Sequence, residues 1–236
     1  MITCYLCGKP ISGATAHDHV PPQQFFAPIL RKKFNLDQLT TLPVHPACTD
    51  AYGKDEEYFT WSLSAIASDS AAGAALLYDN AAKFRAGSRV GLGRKVLREF
   101  QRNPSGLHLP PGLIVKQIDA GRVERVAWKL VRGLYNMETG LVLPETTGYL
   151  VEIAEPEREP ESDFADLWFA VRTQPSNGAY GGVFAYKYLR ASAESDPAAV
   201  LHLWAMLLWD KVIVFLAHHD PLTYVPDNTI GGGAAA

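Results

Sequence analysis

The sequence predicts an α+β protein: a small zinc-bound module, then a helical segment, then an antiparallel-sheet domain with helices. Three observations lead to this prediction. All three cysteines lie in the first 48 residues at metal-ligand spacing, residues 68–103 are alanine-rich with a helical pattern, and the second half mixes helical and strand-like stretches. A hydrophobic content of 47% and a charged content of 20% are those of a globular chain, and 236 residues are enough for a proper core.

The metal-bound module is predicted from the spacing of its cysteine and histidine residues. Cys4 and Cys7 form one pair, and His45 and Cys48 form a second pair with the same spacing. Three sulfurs and one imidazole nitrogen suit tetrahedral Zn²⁺, and a site closed by four protein ligands is structural rather than catalytic. Because no cysteine is left over, two unrelated short motifs are the weaker interpretation.

The stretch between the two ligand pairs predicts a strand and a short connection, and a helix follows the second pair. Residues 17–20 form the end of a strand, on which Asp18 and His19 point to opposite faces. Residues 23–34 are a loop or a short helix, and residues 47–70 form the helix, with acidic residues in its early turns.

Four motifs in this region form one pattern: Cys4-x-x-Cys7, Asp18-His19-Val20-Pro21-Pro22, Leu39 to Pro43, and His45-x-x-Cys48. The pattern resembles the HNH nuclease family in its zinc-bound ββα-metal form, over about the first quarter of the chain. In family members the second pair usually reads Cys-x-x-Cys-Asn. This chain instead has His45-x-x-Cys48 followed by Thr49. The resemblance implies a metal-dependent endonuclease, a hydrolase of phosphodiester bonds in DNA.

The same resemblance implies roles for individual residues. His19 takes the position of the general base that activates water, and Asp18 that of a ligand to a catalytic divalent cation, Mg²⁺ or Mn²⁺. Thr49 stands at the usual asparagine position with Asp50 beside it, and either could supply a further oxygen ligand. Gln38 lies nearest to the position of the asparagine that orients the base.

The distribution of charged residues limits which part of the chain could bind nucleic acid. The net charge is −3, so contact with phosphates requires a local basic face. Residues 83–102 carry seven basic residues against the single acid Glu99, and residues 31–33 form a smaller basic cluster. The predicted phosphate contacts are Arg31, Lys32, Lys33, Arg89, Arg94, Lys95 and Arg98. The alternative is an amphipathic helix whose basic face is merely solvated.

The second half begins after a proline- and glycine-rich linker at residues 104–111. The pattern predicts a helix at 120–138 ended by Gly140, and further strands and helices at 141–153 (strand), 163–172 (helix) and 181–190 (strand). Residues 200–216 are the most apolar run, and they are interpreted as two core strands that turn at residues 209–211. A helix capped at residues 195–197 is the alternative. The histidine pair 218–219 is expected on the surface.

The predicted domain division is 1–70 for the zinc module, 71–104 for the basic helical segment, 112–230 for an α+β domain, and 231–236 for a flexible tail. The start of the chain carries no signal sequence and thiolate ligands need reducing conditions, so a cytoplasmic location is expected. Asp210 and Lys211 argue against a membrane span. DNA is the expected partner, with RNA as an alternative, and the sequence leaves the oligomeric state open.

Three functions compete at this point. The first is the HNH-type endonuclease. The second is a catalytically impaired HNH-like zinc module that binds nucleic acid or protein, which the departures at Gln38 and Thr49 favour. The third is a purely structural zinc knuckle in front of a functional α+β domain, and it ranks last because the second half offers no catalytic constellation.

Overall fold

The computed structural model describes residues 2–34, 39–102, 104–106, 108–154, 169, 175–193 and 196–220, and it confirms the α+β class. The helices are α1 (Pro28–Phe34), α2 (Pro46–Ser64), α3 (Ala71–Arg85), α4 (Val90–Arg98) and α5 (Ala120–Thr139). The strands are β1 (Ala16–His19), β2 (Thr41–Val44), β3 (Phe100–Gln101), β4 (Val115–Lys116), β5 (Tyr149–Ala154), β6 (Gly178–Tyr180), β7 (Phe184–Ala193), β8 (Asp196–Leu208) and β9 (Val212–His219).

The N-terminal region has ββα topology. Strands β1 and β2 pair antiparallel, with Asp18 opposite Leu42, and α2 begins two residues after β2. Pro46 occupies the first turn of α2, where its missing N–H costs no hydrogen bond. The helix ends at Ser64, earlier than the sequence pattern predicts. We call residues 2–64 the N-terminal module.

The alanine-rich stretch forms two helices, α3 and α4. The Ser70 hydroxyl caps α3 by accepting a hydrogen bond from the Gly73 backbone N–H at 2.9 Å. After α3 the chain turns through Gly87, whose φ of 80° is accessible to glycine at little cost. Helix α4 then leads into β3, which pairs antiparallel with β4.

The second half contains a five-stranded antiparallel sheet in the order β5-β9-β8-β7-β6. The apolar run forms β8 and β9, which turn at Trp209 and Asp210 in left-handed conformation, so the two-strand interpretation is confirmed and the helical alternative is wrong. Helix α5 ends at Gly140, as predicted. The predicted helix at 163–172 and the tail at 231–236 lie outside the described residues, apart from residue 169. No helix in the described part of the chain is long and apolar enough to span a membrane.

Buried aromatic side chains join the N-terminal module to the sheet. Phe25 stacks on Phe59 of α2 with ring centroids 5.2 Å apart, and Trp209 packs its edge against Phe25 at 5.7 Å. The Trp209 indole N–H also donates to the Phe25 carbonyl at 2.9 Å. The predicted regions 1–70 and 112–230 therefore share one cluster of buried side chains.

Two histidines are buried in the sheet. His202 of β8 lies opposite His218 of β9, and their rings stack at 4.8 Å with an angle of 2° between them. The Tyr188 hydroxyl lies 2.7 Å from His202 Nδ1, and the Trp204 indole N–H donates to His218 Nε2 at 3.2 Å. The expectation that His218 lies on the surface is wrong because it belongs to β9 and faces the core, whereas His219 is exposed.

Burial sets the protonation state of this pair. Burial lowers the pKa of His218 to about 4, opposed by a hydrogen bond to the backbone of His219 and reinforced by His202. Burial also lowers the pKa of His202, opposed by Asp220, whose Oδ2 lies 3.5 Å from His202 Nε2. The other charged or titratable groups that face the pair come from α5 and β7: Tyr135, Tyr188 and Arg190. Both imidazoles are therefore neutral at neutral pH.

We expect acid to destabilise the fold through His218. Its pKa is lower in the folded chain than in the unfolded one, so the unfolded chain binds the proton first and stability falls as the pH drops from about 6.5 toward about 4. The free energy of unfolding should fall by about 2 kcal/mol more between pH 7 and pH 4.5 in the wild type than in His218→Asn. Chemical denaturation at the two pH values measures this difference.

The matched control is His108→Asn, because His108 is exposed. It should keep the wild-type pH dependence. The same pH dependence in wild type and His218→Asn would contradict the assignment of the acid sensitivity to His218.

Candidate metal centre and the adjoining ion cluster

The structure brings the four predicted zinc ligands together at one end of the β1–β2 hairpin. The sulfur atoms of Cys4, Cys7 and Cys48 and a ring nitrogen of His45 all lie within 4.8 Å of one another. His45 Nδ1 lies 3.3 Å from Cys7 Sγ and 3.9 Å from Cys48 Sγ. The convergence of the two pairs is confirmed, and these four residues could hold a metal ion.

Local backbone structure positions each ligand. Cys4 and Cys7 lie on a tight turn closed by the bond from Gly8 N–H to the Cys4 carbonyl at 2.9 Å, and Gly8 has a φ of 70° that suits glycine. His45 is the residue before α2, and Cys48 lies in the first turn of that helix. His45 and Cys48 are three residues apart across the start of α2, so their side chains lie on the same side of the helix.

The environment of the thiols favours a bound cation. Burial alone would raise the pKa of Cys4, but hydrogen bonds from the backbone of His45, Cys7 and Leu6 outweigh it and lower the pKa to about 7. Burial and the adjacent thiols raise the pKa of Cys48 to about 12. Three thiolates so close together repel each other, and the positive charge of a bound metal ion offsets that repulsion.

The two residues that the HNH resemblance assigns to a catalytic cation also converge. Asp18 is buried on β1, and Thr49 in the first turns of α2 donates a hydrogen bond from Oγ1 to Asp18 Oδ1 at 3.0 Å. Asp50, the other predicted oxygen ligand, is exposed on the same helix. The ββα topology therefore brings a strand carboxylate and a helix hydroxyl to one point.

A lysine ammonium occupies the space beside that carboxylate. Lys129 of α5 places Nζ 2.9 Å from Oδ1 and 2.8 Å from Oδ2 of Asp18, and it also donates to Oε1 of Glu56 on α2. The Tyr5 hydroxyl donates to Asp18 Oδ2. Lys129 is only 2% exposed. The Asp18 carboxylate thus already receives hydrogen bonds from one ammonium and two hydroxyl groups.

The remaining polar groups of this cluster are also satisfied. Gln24 donates to Glu56 Oε2 at 2.7 Å, and burial together with the negative charge of Asp18 raises the pKa of the Tyr5 hydroxyl well above its usual value. Tyr5 therefore remains a hydrogen-bond donor. We call Tyr5, Asp18, Thr49, Glu56 and Lys129 the ion cluster.

Close packing of α5 on β1 carries Lys129 to this position. Gly133 follows Lys129 by one helical turn, and a Cβ at Gly133 would lie 2.7 Å from a methyl group of Val20, which is two residues after Asp18. The sequence offers one signal for this lysine: it lies three residues after Val126, on the apolar face of α5. Sequence reasoning missed both Lys129 and Glu56.

The predicted general base lies on the other side of the strand. His19 is partly exposed and lies opposite Thr41 in the hairpin, whereas its neighbour Asp18 is buried. The two side chains therefore take opposite faces, as predicted. Gln38, the predicted orienting residue, lies outside the described residues.

The predicted phosphate-binding residues divide into two groups. Arg89 forms an ion pair with Glu57, and Lys95 forms one with Asp119 at 2.8 Å, so their charges are partly neutralised. Arg31 is partly buried on α1. Among the described residues, the exposed members that form no ion pair are Lys32 and Lys33 on α1 and Arg94 and Arg98 on α4.

Comparisons of this chain with protein families, with curated proteins and with solved structures found no match.

We expect Lys129→Met to destabilise the protein by about 3–5 kcal/mol, because it leaves two buried carboxylates without their cation. Chemical denaturation at neutral pH measures the loss. Lys95→Met is the matched control, since it removes the same group from an exposed ion pair and should cost at most about 1 kcal/mol. Equal losses for the two variants would contradict a central role for the buried ammonium.

Proposed function

We propose that this protein is an HNH-like zinc module that binds nucleic acid without hydrolysing it, built into a larger α+β protein. The observation that carries the proposal is the position of Lys129, whose ammonium contacts both oxygens of Asp18. A divalent cation at Asp18 would have to displace this buried ammonium and overcome its charge. The metal-dependent step of HNH-type hydrolysis is therefore disfavoured.

Zinc is the metal we assign to Cys4, Cys7, His45 and Cys48. Thiolate and imidazole ligands suit Zn²⁺, whereas Mg²⁺ and Mn²⁺ prefer oxygen ligands. Four protein ligands leave no open position for a water molecule. The zinc would hold the hairpin against the start of α2, and it would not take part in hydrolysis.

Exposed basic side chains support contact with nucleic acid. Lys32 and Lys33 lie on α1, and Arg94 and Arg98 lie four residues apart on α4, which places them on the same face of that helix. In a chain of net charge −3, such groups give a local positive surface. Contacts of this kind bind the phosphate backbone of DNA or RNA without reading its sequence.

Metal-dependent DNA cleavage is the second candidate, and one observation favours it. Asp18 and Thr49 meet at 3.0 Å, the pair through which the resemblance would bind Mg²⁺ or Mn²⁺. In that case Lys129 would withdraw when the cation enters, and His19 would activate the attacking water.

We expect one zinc ion per chain in freshly purified protein, measured by elemental analysis. Cys7→Ser should lose the ion and lower the melting temperature, although Cys7 itself is exposed and contributes little to the core. Ser12→Ala, at an exposed position near the same turn, is the control and should keep both properties. Purified wild type without stoichiometric zinc would contradict the assignment.

The function is tested by nicking of supercoiled plasmid with Mg²⁺ or Mn²⁺ and by DNA binding with both ions omitted. We expect binding without added cations, and equal, background nicking for the wild type and His19→Ala. Cation-dependent nicking that His19→Ala abolishes would instead establish the endonuclease.

The phosphate contacts are tested by removing two charges in two ways. Arg94→Gln with Arg98→Gln should weaken DNA binding and reduce the slope of log K against log salt by about 2. Lys83→Gln with Lys95→Gln removes two charges that are already held in ion pairs with Asp79 and Asp119, so its effect should be smaller. Equal effects of the two double variants would contradict a specific contribution of the exposed arginines.

A further inference from the structure

An apolar groove lies between α3 and α4, away from the ion cluster. Trp61 of α2 and Phe100 of β3 also line it. Its volume is about 300 Å³. The side chains that define it are Trp61, Leu77, Phe84, Val96, Leu97 and Phe100.

The packing of the two helices creates the groove. At Gly93, α4 approaches α3 so closely that a Cβ would lie 2.3 Å from the ring of Phe84. Beyond that contact Leu97 is 62% exposed and Phe100 is 39% exposed. Burying such side chains against a partner lowers the free energy of the complex.

Further exposed apolar side chains lie on and before the strand that pairs with β3. Leu113 and Ile114 precede β4 and Val115 begins it, whereas Lys116 pairs with Phe100 and its ammonium lies over the Phe100 ring. A second depression, of about 360 Å³, lies against Leu113 and Ile114. Exposed apolar side chains grouped around a groove mark an interaction site more than single scattered ones do.

Three arginine residues lie in or near these depressions. Arg85 lines the groove from α3, Arg98 follows Leu97 on α4, and Arg102 lines the second depression. The nearby acids Asp79 and Glu99 already form ion pairs with Lys83 and Lys116. The occupant that complements this surface is therefore both apolar and negatively charged.

We propose that the groove binds an acidic amphipathic helix of a partner protein. Apolar side chains spaced i, i+3 and i+4 would fill the groove, and carboxylates on the flanks of the helix would face the arginines. A nucleobase fits less well, because its polar edges would lack partners in an apolar groove, and the amide of the lining residue Asn80 already donates to Ser64. This interaction goes beyond the proposed binding of nucleic acid, although both ligands would use Arg98 of α4.

The test measures fluorescence anisotropy of a labelled synthetic helix of about four turns, with leucine on one face and glutamate on the other. The full-length protein should bind it, and a scrambled peptide of the same composition should bind at least about tenfold more weakly. Leu97→Ser should weaken binding about tenfold or more, because a leucine loses its buried contact. Leu150→Ser is the control, since Leu150 is 67% exposed on β5, away from the groove, and it should bind as the wild type does.

The effects of two variants on DNA binding and on peptide binding separate this proposal from the previous one. Leu97→Ser should leave DNA binding unchanged, whereas Arg94→Gln with Arg98→Gln should weaken the binding of both ligands. Equal affinity for the ordered and scrambled peptides, or an unchanged peptide affinity in Leu97→Ser, would overturn the groove assignment. A loss of DNA binding in Leu97→Ser would overturn it as well, because the occupant would then be a nucleobase.

Discussion

The buried contact between Lys129 and the carboxylates of Asp18 and Glu56 is the constraint on which the arrangement of this protein depends. Transfer of a charge from water to a protein interior costs several kcal/mol per ion, and good geometry with additional hydrogen bonds is needed to offset it. Here the cluster draws on β1, α2 and α5 at once. These three elements can satisfy the charges only in one relative position, so the cluster fixes where α5 lies on the hairpin.

The same contact separates the structural role of the module from its chemistry. The four candidate metal ligands lie at one end of the hairpin, and the ion cluster lies along β1 and α2. Each would hold the hairpin against α2 with a positive charge, a metal ion in one case and an ammonium in the other. Under the proposed function the tethered ammonium of Lys129 stays beside Asp18, whereas a catalytic cation would exchange with solvent ions.

The features that sequence reasoning predicted are those determined by nearby residues. The spacing of Cys4, Cys7, His45 and Cys48 predicted their convergence because each pair is held by a single turn. The two strands on either side of Trp209 followed from a local apolar pattern interrupted by a polar turn.

The features it missed depend on partners far apart in sequence. Lys129 lies 111 residues from Asp18 in the sequence. A lysine on an apolar helix face indicates that its side chain is buried, but it does not indicate which carboxylates it contacts. Likewise His218 was expected on the surface because the predicted strand ended at residue 216, which placed the histidine pair in a loop. On a strand, however, adjacent side chains take opposite faces, and the stacking with His202 exists only once β8 and β9 have paired.

Helix α4 presents the arginines that both proposed ligands would use, and the apolar side chains between them determine which ligand uses the groove. A phosphate backbone needs only positive charge, so it gains nothing from Leu97 or Phe100. A carboxylate-bearing helix gains from both, since its apolar face covers side chains that otherwise remain in water. The two ligands would therefore compete for the arginines of α4, whereas only the acidic helix would bury the apolar side chains of Leu97 and Phe100. A partner with an acidic amphipathic helix could in this way displace nucleic acid from α4 without touching the ion cluster.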